Sequence, residues 1–201
     1  MKETTPAVQK RAPRFTRDVI YFIVIILLVA LSGQFWYTYK YKPAAERDVT
    51  IYYNQDIQAN VEITRAIQDA DKFVYFAIFT FTMEDIRDAL LAAKYRGLDV
   101  RGIIDKNQSK AVDAQEEIVK ELQNAGIEIV FNDHSYIMHL KTVVTDKSYV
   151  TGSYNWTKAA TESNDEIIEV GYDEDLRKQY EVIIEKIIRD YQVKQDINKN
   201  F

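Results

Sequence analysis

His139 and Lys141 stand two residues apart in a run, residues 137–145, that reads Ile-Met-His-Leu-Lys-Thr-Val-Val-Thr and closes on Asp146. The run is β-branched and apolar enough to predict a strand. Side chains two apart on a strand share a face, roughly 6–7 Å from one another. An imidazole and an ammonium so placed can address a single phosphoryl group. Asp146, Lys147 and Ser148 read as a turn, and residues 149–153 return antiparallel beside the first strand. That return brings Ser153 and Asn155, from Gly152-Ser-Tyr-Asn-Trp156, back toward the same end. A nucleophile, a cation and small polar donors around one phosphorus are the elements of phosphodiester transfer without a metal.

Neutral imidazole is a competent nucleophile near pH 7, so His139 is expected to attack phosphorus and form a phosphohistidine. Lys141, the Asn155 amide and the Ser153 hydroxyl would hold the non-bridging oxygens as charge builds. The leaving oxygen needs a proton, which calls for a second, protonated imidazole. The only other histidine is His134. Five extended residues separate it from His139 by about 16 Å, with opposite parity. A second copy of His139 from a twofold-related subunit is the simpler donor, predicting a homodimer with the active site at its interface. Glu166 is the carboxylate chosen to fix the tautomer of His139. Asp146 completes the catalytic set by its place in the run. Its parity is opposite to Lys141, however, and its place at the turn favours a structural role, anchoring the hairpin.

These residues resemble the His-x-Lys-x4-Asp motif of the phospholipase D superfamily, and the likeness continues on either side. Asn164-Asp-Glu166 resembles the family's short Asn-x-Glu segment, which implies that Asn164 helps shape the phosphate site. Residues 72–80 and 89–101 resemble its opening strand, helix and Arg-Gly-containing strand. The resemblance covers about residues 49–193, nearly all of the part expected to be soluble. A bare His-x-Lys-x4-Asp pattern arises by chance in many chains; with Gly-Ser-x-Asn-Trp and Asn-x-Glu at these distances it is specific. Relatives with two motifs build one site from both, and single-motif relatives do so as homodimers. One copy here implies the second kind, the Nuc-like endonuclease and phosphodiesterase subgroup.

The chain has 201 residues and no cysteine, so disulfides and thiolate metal sites are excluded. Residues 1–48 hold 8 Lys and Arg against 4 Asp and Glu, and residues 49–201 hold 18 against 27. The expected catalytic domain is therefore acidic, not the usual footprint of a protein that coats DNA by charge alone.

Residues 19–37 carry no charge and suffice to span a bilayer. Phe35, Trp36, Tyr37, Tyr39 and Tyr41 would form an aromatic belt at one interface. Five cations precede the segment and three follow it, which favours a cytoplasmic N-terminus and an exported domain. A membrane anchor is favoured over a signal peptide cleaved near Ala30-Leu31-Ser32, because removal would discard the belt. The expected organisation is a basic segment 1–18, the anchor or signal 19–37, a linker 38–48 and the catalytic domain 49–201.

Within that domain, strands are expected at 49–53, 73–79, 98–104, 127–131, 137–145, 149–153 and 166–172. Helices are expected at 57–70, 82–94, 111–125 and 173–191. This alternation predicts an α/β/α sandwich around a mixed sheet. Trp156 is read as core, His134 as a loop residue and Asp105 as unassigned. Lys106, Lys110 and Arg96 are candidates to border a substrate groove. The expected substrate is nucleic acid, the runner-up a phospholipid headgroup, and the intact motif argues against a non-catalytic binding module.

Overall fold

The structure, a computed structural model, describes residues 14–40, 48–132 and 136–199 and divides into two units, residues 1–46 and 47–201. The first holds one helix, α1 (Arg14–Lys40). Its segment Asp18–Tyr37 has a mean hydropathy of 2.4 and none of it is buried. At 1.5 Å per residue those 20 residues are about 30 Å long, the thickness of a bilayer's hydrocarbon core. The helix runs unbroken through Ala30-Leu31-Ser32, and the Ser32 hydroxyl donates to the Val29 carbonyl at 2.9 Å, so that hydroxyl is satisfied within the helix. Most of the expected linker, residues 41–47, lies outside the described residues.

The second unit is a seven-stranded mixed sheet. Its elements are β1 (Val49–Tyr53), α2 (Ala59–Asp69), β2 (Phe73–Ile78), α3 (Glu84–Tyr95), β3 (Asp99–Ile104), α4 (Lys106–Ala111), α5 (Asp113–Asn124), β4 (Glu128–Phe131), β5 (Lys141–Thr145), β6 (Tyr149–Gly152), α6 (Lys158–Glu162), β7 (Ile167–Gly171) and α7 (Glu174–Lys199). The strand order is β1-β7-β6-β5-β2-β3-β4. β2, β3 and β4 run parallel, and every other pairing is antiparallel. β2 is central and buried on both faces, which is why its sequence is apolar at every position.

Ile63 and Ile67 of α2, Ile86 and Leu90 of α3, and Ile118 and Leu122 of α5 pack on one face of the sheet. Ile184 and Ile188 of α7 cover the other face, with Tyr75, Val144 and Tyr149. This is the expected α/β/α sandwich. Gly102 on β3 leaves room for the Phe76 ring, which a Cβ there would strike.

Two local differences matter for the site. The strand expected over 137–145 is confined to 141–145, because the chain leaves the ladder before Leu140, which still pairs with Phe79 in the β2–β5 register. The Met138 amide donates to the Asp105 carboxylate at 2.9 Å, and the Leu140 carbonyl accepts from Phe79 at 3.0 Å. The helix expected at 111–125 is two helices, parted at Val112, which is extended with φ −124° and ψ 100°. The first, α4, starts earlier, at Lys106, where Asp105 caps it by accepting from the Gln108 amide at 2.8 Å.

Candidate functional site

The parallel strands β2, β3 and β4 end together, at Ile78, Ile104 and Phe131, and β5 begins there, with Lys141 opposite Ile78. Carboxyl ends of parallel strands are where α/β folds place their ligands. His139 and Lys141 meet there around one aromatic ring. The His139 imidazole lies 4.9 Å from the Phe79 centroid, and Lys141 Nζ sits 5.2 Å over the same ring. Lys141 Nζ also donates to the His139 carbonyl at 2.9 Å. The expected shared face is therefore kept, although His139 itself is outside the strand. The imidazole is exposed while Lys141 is 5% exposed, an open imidazole beside a sunken cation.

Burial pushes the Lys141 ammonium down to about 8, with Glu166 pulling the other way. Partial desolvation lowers the His139 imidazole, the Lys141 charge adds to that, and Asp105 opposes both. Both shifts follow from taking a charge out of water. Near pH 7 the arrangement holds a neutral imidazole and a largely protonated lysine.

Gly152, Ser153 and Glu166 form the neighbouring wall. A Cβ on Gly152, whose φ is +152°, would collide with the Ile167 carbonyl; without it, the Ser153 amide donates to that carbonyl at 3.0 Å. Ser153 Oγ donates a short hydrogen bond to Glu166 Oε2 and accepts from the Ile167 amide at 3.1 Å. Asn164 Nδ2 donates to Glu166 Oε1 at 3.0 Å. Glu166 is 7% exposed. Among the described residues its side chain bonds to Ser153 and Asn164 and not to His139 of the same chain, so the expected contact between Glu166 and His139 is not made within one subunit. The Ser153 proton is likewise directed at Glu166 rather than left free. Asn155 accepts from the Thr80 amide at 3.3 Å through Oδ1, which leaves its NH2 group to donate.

Asp146 is placed elsewhere. It lies at the opposite end of β5, about 16 Å along the strand from Lys141. It accepts from the backbone amides of Asp71 at 3.0 Å and Lys72 at 3.1 Å. Burial works against its ionisation, but these amides more than offset that and lower its pKa. The structure puts it at the hairpin anchor and not among the residues around Phe79. Arg96 is no groove residue either: its guanidinium donates to the Ile67 and Ala70 carbonyls at the end of α2. Trp156 is core, 1% exposed and edge-on to Phe81 at 5.0 Å. His134 lies outside the described residues.

Two supporting residues went unread in the sequence. Asn54, 4% exposed, bonds the Glu166 segment on both sides. Its Oδ1 accepts from the Glu166 amide at 2.9 Å, and its Nδ2 donates to the Ala160 carbonyl at 2.8 Å and the Asn164 carbonyl at 3.0 Å. Gln115, fully buried, accepts from the Phe81 amide at 2.7 Å and donates to the Phe79 carbonyl at 3.2 Å. It thereby fixes the segment that carries the ring touched by His139 and Lys141. Asp105, unassigned in the sequence, holds the Met138 amide one residue before His139.

Residues 63–188 match the family described as cardiolipin synthase, PLD-like domain, and the chain belongs to this family and, with its single motif, to the phospholipase D superfamily. It is 32% identical over 123 residues to the mitochondrial cardiolipin hydrolase of Xenopus tropicalis, covering 61% of this chain and 57% of that one. It is 31% identical over 119 residues to a phospholipase D of Rickettsia conorii, covering 59% and 58%. The chain thus spans just over half the length of these curated relatives. Among solved structures, Nuc from Salmonella typhimurium, a phospholipase D family member, superposes with a TM-score of 0.65 at 30% identity, covering 73% of this chain and 95% of that one. NucT from Helicobacter pylori, at 23% identity and a TM-score of 0.63, shares the fold.

Proposed function

We propose that the chain is a metal-independent phosphodiester hydrolase that works through a phosphohistidine on His139, with nucleic acid as its substrate. The observation that carries this reading is the pairing of an exposed, neutral imidazole with a buried ammonium, both against the Phe79 ring. An imidazole nitrogen of His139 attacks phosphorus, and the bond to the leaving oxygen breaks. Lys141 Nζ and the Asn155 NH2 offset charge on the non-bridging oxygens. The leaving oxygen takes its proton from His139 of the partner subunit, held as imidazolium across a twofold axis. Water then attacks the phosphohistidine, that second imidazole takes the water's proton, and His139 is released neutral. Glu166, held by Ser153 and Asn164, keeps a carboxylate near the imidazole pair; Asp146 serves the hairpin. Residues 19–37 anchor the chain with its N-terminus in the cytoplasm and its domain exported.

A second reading, hydrolysis of a phospholipid headgroup, is favoured by the exposed apolar side chains flanking the site, Ile137, Leu140 and Ile167. The names of the relatives, cardiolipin hydrolase and phospholipase D, point the same way. The two separate in one experiment. The full chain in detergent, in excess EDTA, is offered a single-stranded oligonucleotide, plasmid DNA and mixed vesicles containing cardiolipin, each beside a His139→Ala control. His139-dependent cleavage of the nucleic acids supports the first reading; headgroup release from the vesicles alone replaces it with the second.

A further inference from the structure

A cavity of about 320 Å³ opens between α4 and α5 above the end of β4. Val119 and Phe131 line it with apolar surface, and Lys106, Lys110 and Lys120 rim it. Three lysines around one cavity are unexpected in a domain with 18 cations against 27 anions. Lys120 is compensated by Glu116 at 2.7 Å, whereas Lys106 and Lys110 enter no ion pair among the described residues. They stand four apart on α4, where like charges repel and weaken a helix. Ser109, 6% exposed, also lines the cavity. Its oxygen accepts from Gln115 at 3.0 Å, so its hydroxyl proton remains to be donated.

The cavity is tied to the candidate site. Lys106 follows Asp105, whose carboxylate holds the Met138 amide beside His139, and the Lys106 amide itself donates to Asn132 at 2.8 Å. Summing bonded spans along Lys106, Asp105, Met138 and His139 puts the two α-carbons at most about 15 Å apart. An apolar slot rimmed by cations and a hydroxyl matches a nucleotide: an aromatic ring gives a base a stacking surface, and ammonium groups meet its phosphate. A paired, stacked base does not enter such a slot.

We propose that this cavity holds one unpaired nucleotide of the substrate strand, a few positions from the scissile phosphate. Its apolar lining takes the base, and Lys106 and Lys110 take the phosphate. The inference rests on the nucleic-acid reading above and narrows it to single strands. It also explains how an acidic domain gains a local hold on a polyanion.

The test uses the full chain in detergent, a labelled single-stranded DNA oligonucleotide, and bis(p-nitrophenyl) phosphate, which is too small to reach the cavity. Lys106→Gln/Lys110→Gln is expected to raise KM for the oligonucleotide about tenfold and to flatten its salt dependence by about 1.4, two single-strand contacts at roughly 0.7 each. Hydrolysis of the small diester should stay unchanged. An abasic residue moved along the oligonucleotide should raise KM at one offset from the cut and not at others. Equal effects on both substrates, or none on the oligonucleotide, overturn the inference alone. If wild type turns over the small diester but leaves the oligonucleotide whole, the nucleic-acid reading falls and the inference with it.

Discussion

Lys141 Nζ reaches back to the carbonyl oxygen of His139, 2.9 Å away, so the cation is held against the very backbone that carries the imidazole. Both side chains also meet the Phe79 ring, the imidazole at 4.9 Å and Nζ at 5.2 Å from its centroid. In the proposed mechanism this keeps the cation close to a phosphoryl group on His139, and the burial of Lys141 sets the pH range over which it is charged.

That range has a sign. Catalysis as proposed needs Lys141 charged, and burial has brought its pKa down to about 8. The kcat/KM for bis(p-nitrophenyl) phosphate should therefore fall as pH rises through about 8. A profile flat to pH 10 would remove Lys141 from the phosphate site.

Stability moves in the opposite sense. The unfolded chain holds the Lys141 proton up to an ordinary lysine pKa while the folded chain gives it up near 8, so the folded state gains stability between those values as pH rises. Below about 8 the buried charge is a liability. Lys141→Met should lower kcat by about 10²–10³-fold yet raise the Tm at pH 7 by a few degrees. The gain in Tm should shrink as pH climbs above 8. A variant less stable than wild type at pH 7 would show that the lysine is structural.

Asp146 should behave as an anchor. Asp146→Ala gives up the bonds to the exposed amides of Asp71 and Lys72 to water and should destabilise by about 0.5–1.5 kcal/mol. Turnover per folded molecule should stay within about threefold, since the residue is a strand's length from Lys141. Because its pKa is lowered in the folded state, its contribution is present at neutral pH and is lost as pH falls through that lowered value. Denaturant melts at pH 7 and pH 3 give both answers; a folded variant that has lost its activity would return Asp146 to the catalytic set.

Asn54 is the stronger structural prediction for the site. Asn54→Ala leaves the buried Glu166 amide without its partner and removes the side-chain donor to the Ala160 and Asn164 carbonyls, the latter keeping Gln55, which should cost about 2–4 kcal/mol. It should also depress kcat more than KM, because the carboxylate loses its seat while the substrate's contacts remain. Urea melts and steady-state kinetics on the same preparation separate the two effects. An unchanged kcat would mean that Glu166 needs no such support.

The sequence made the sheet and the His-Lys pair legible because both are written in short periodicities: alternate residues on a strand, and an apolar run for a central one. What it hid depends on side chains reaching across the fold. Residues 137–140 look like strand, but the Asp105 carboxylate, 33 residues upstream, takes the Met138 amide away from the ladder. Val112 interrupts what reads as one helical pattern, because Asp105 caps an additional helix before it. Asn54 resembles any asparagine after a strand, and nothing in its neighbourhood announces that it braces Glu166 112 residues later. The seat of Glu166 was hidden for the same reason: Ser153 and Asn164 hold its carboxylate at hydrogen-bond distance, an arrangement that spacing does not display.

The most direct test of the account is hydrolysis of bis(p-nitrophenyl) phosphate by the full chain in detergent at pH 7 in excess EDTA, followed by acid-quenched and base-quenched intact mass. Wild type should turn over with EDTA present and carry a phosphoryl-ester adduct that survives base and is lost in acid. His139→Ala should lose about 10³-fold or more in rate and carry none. Turnover that EDTA abolishes, or that His139→Ala retains, would contradict it.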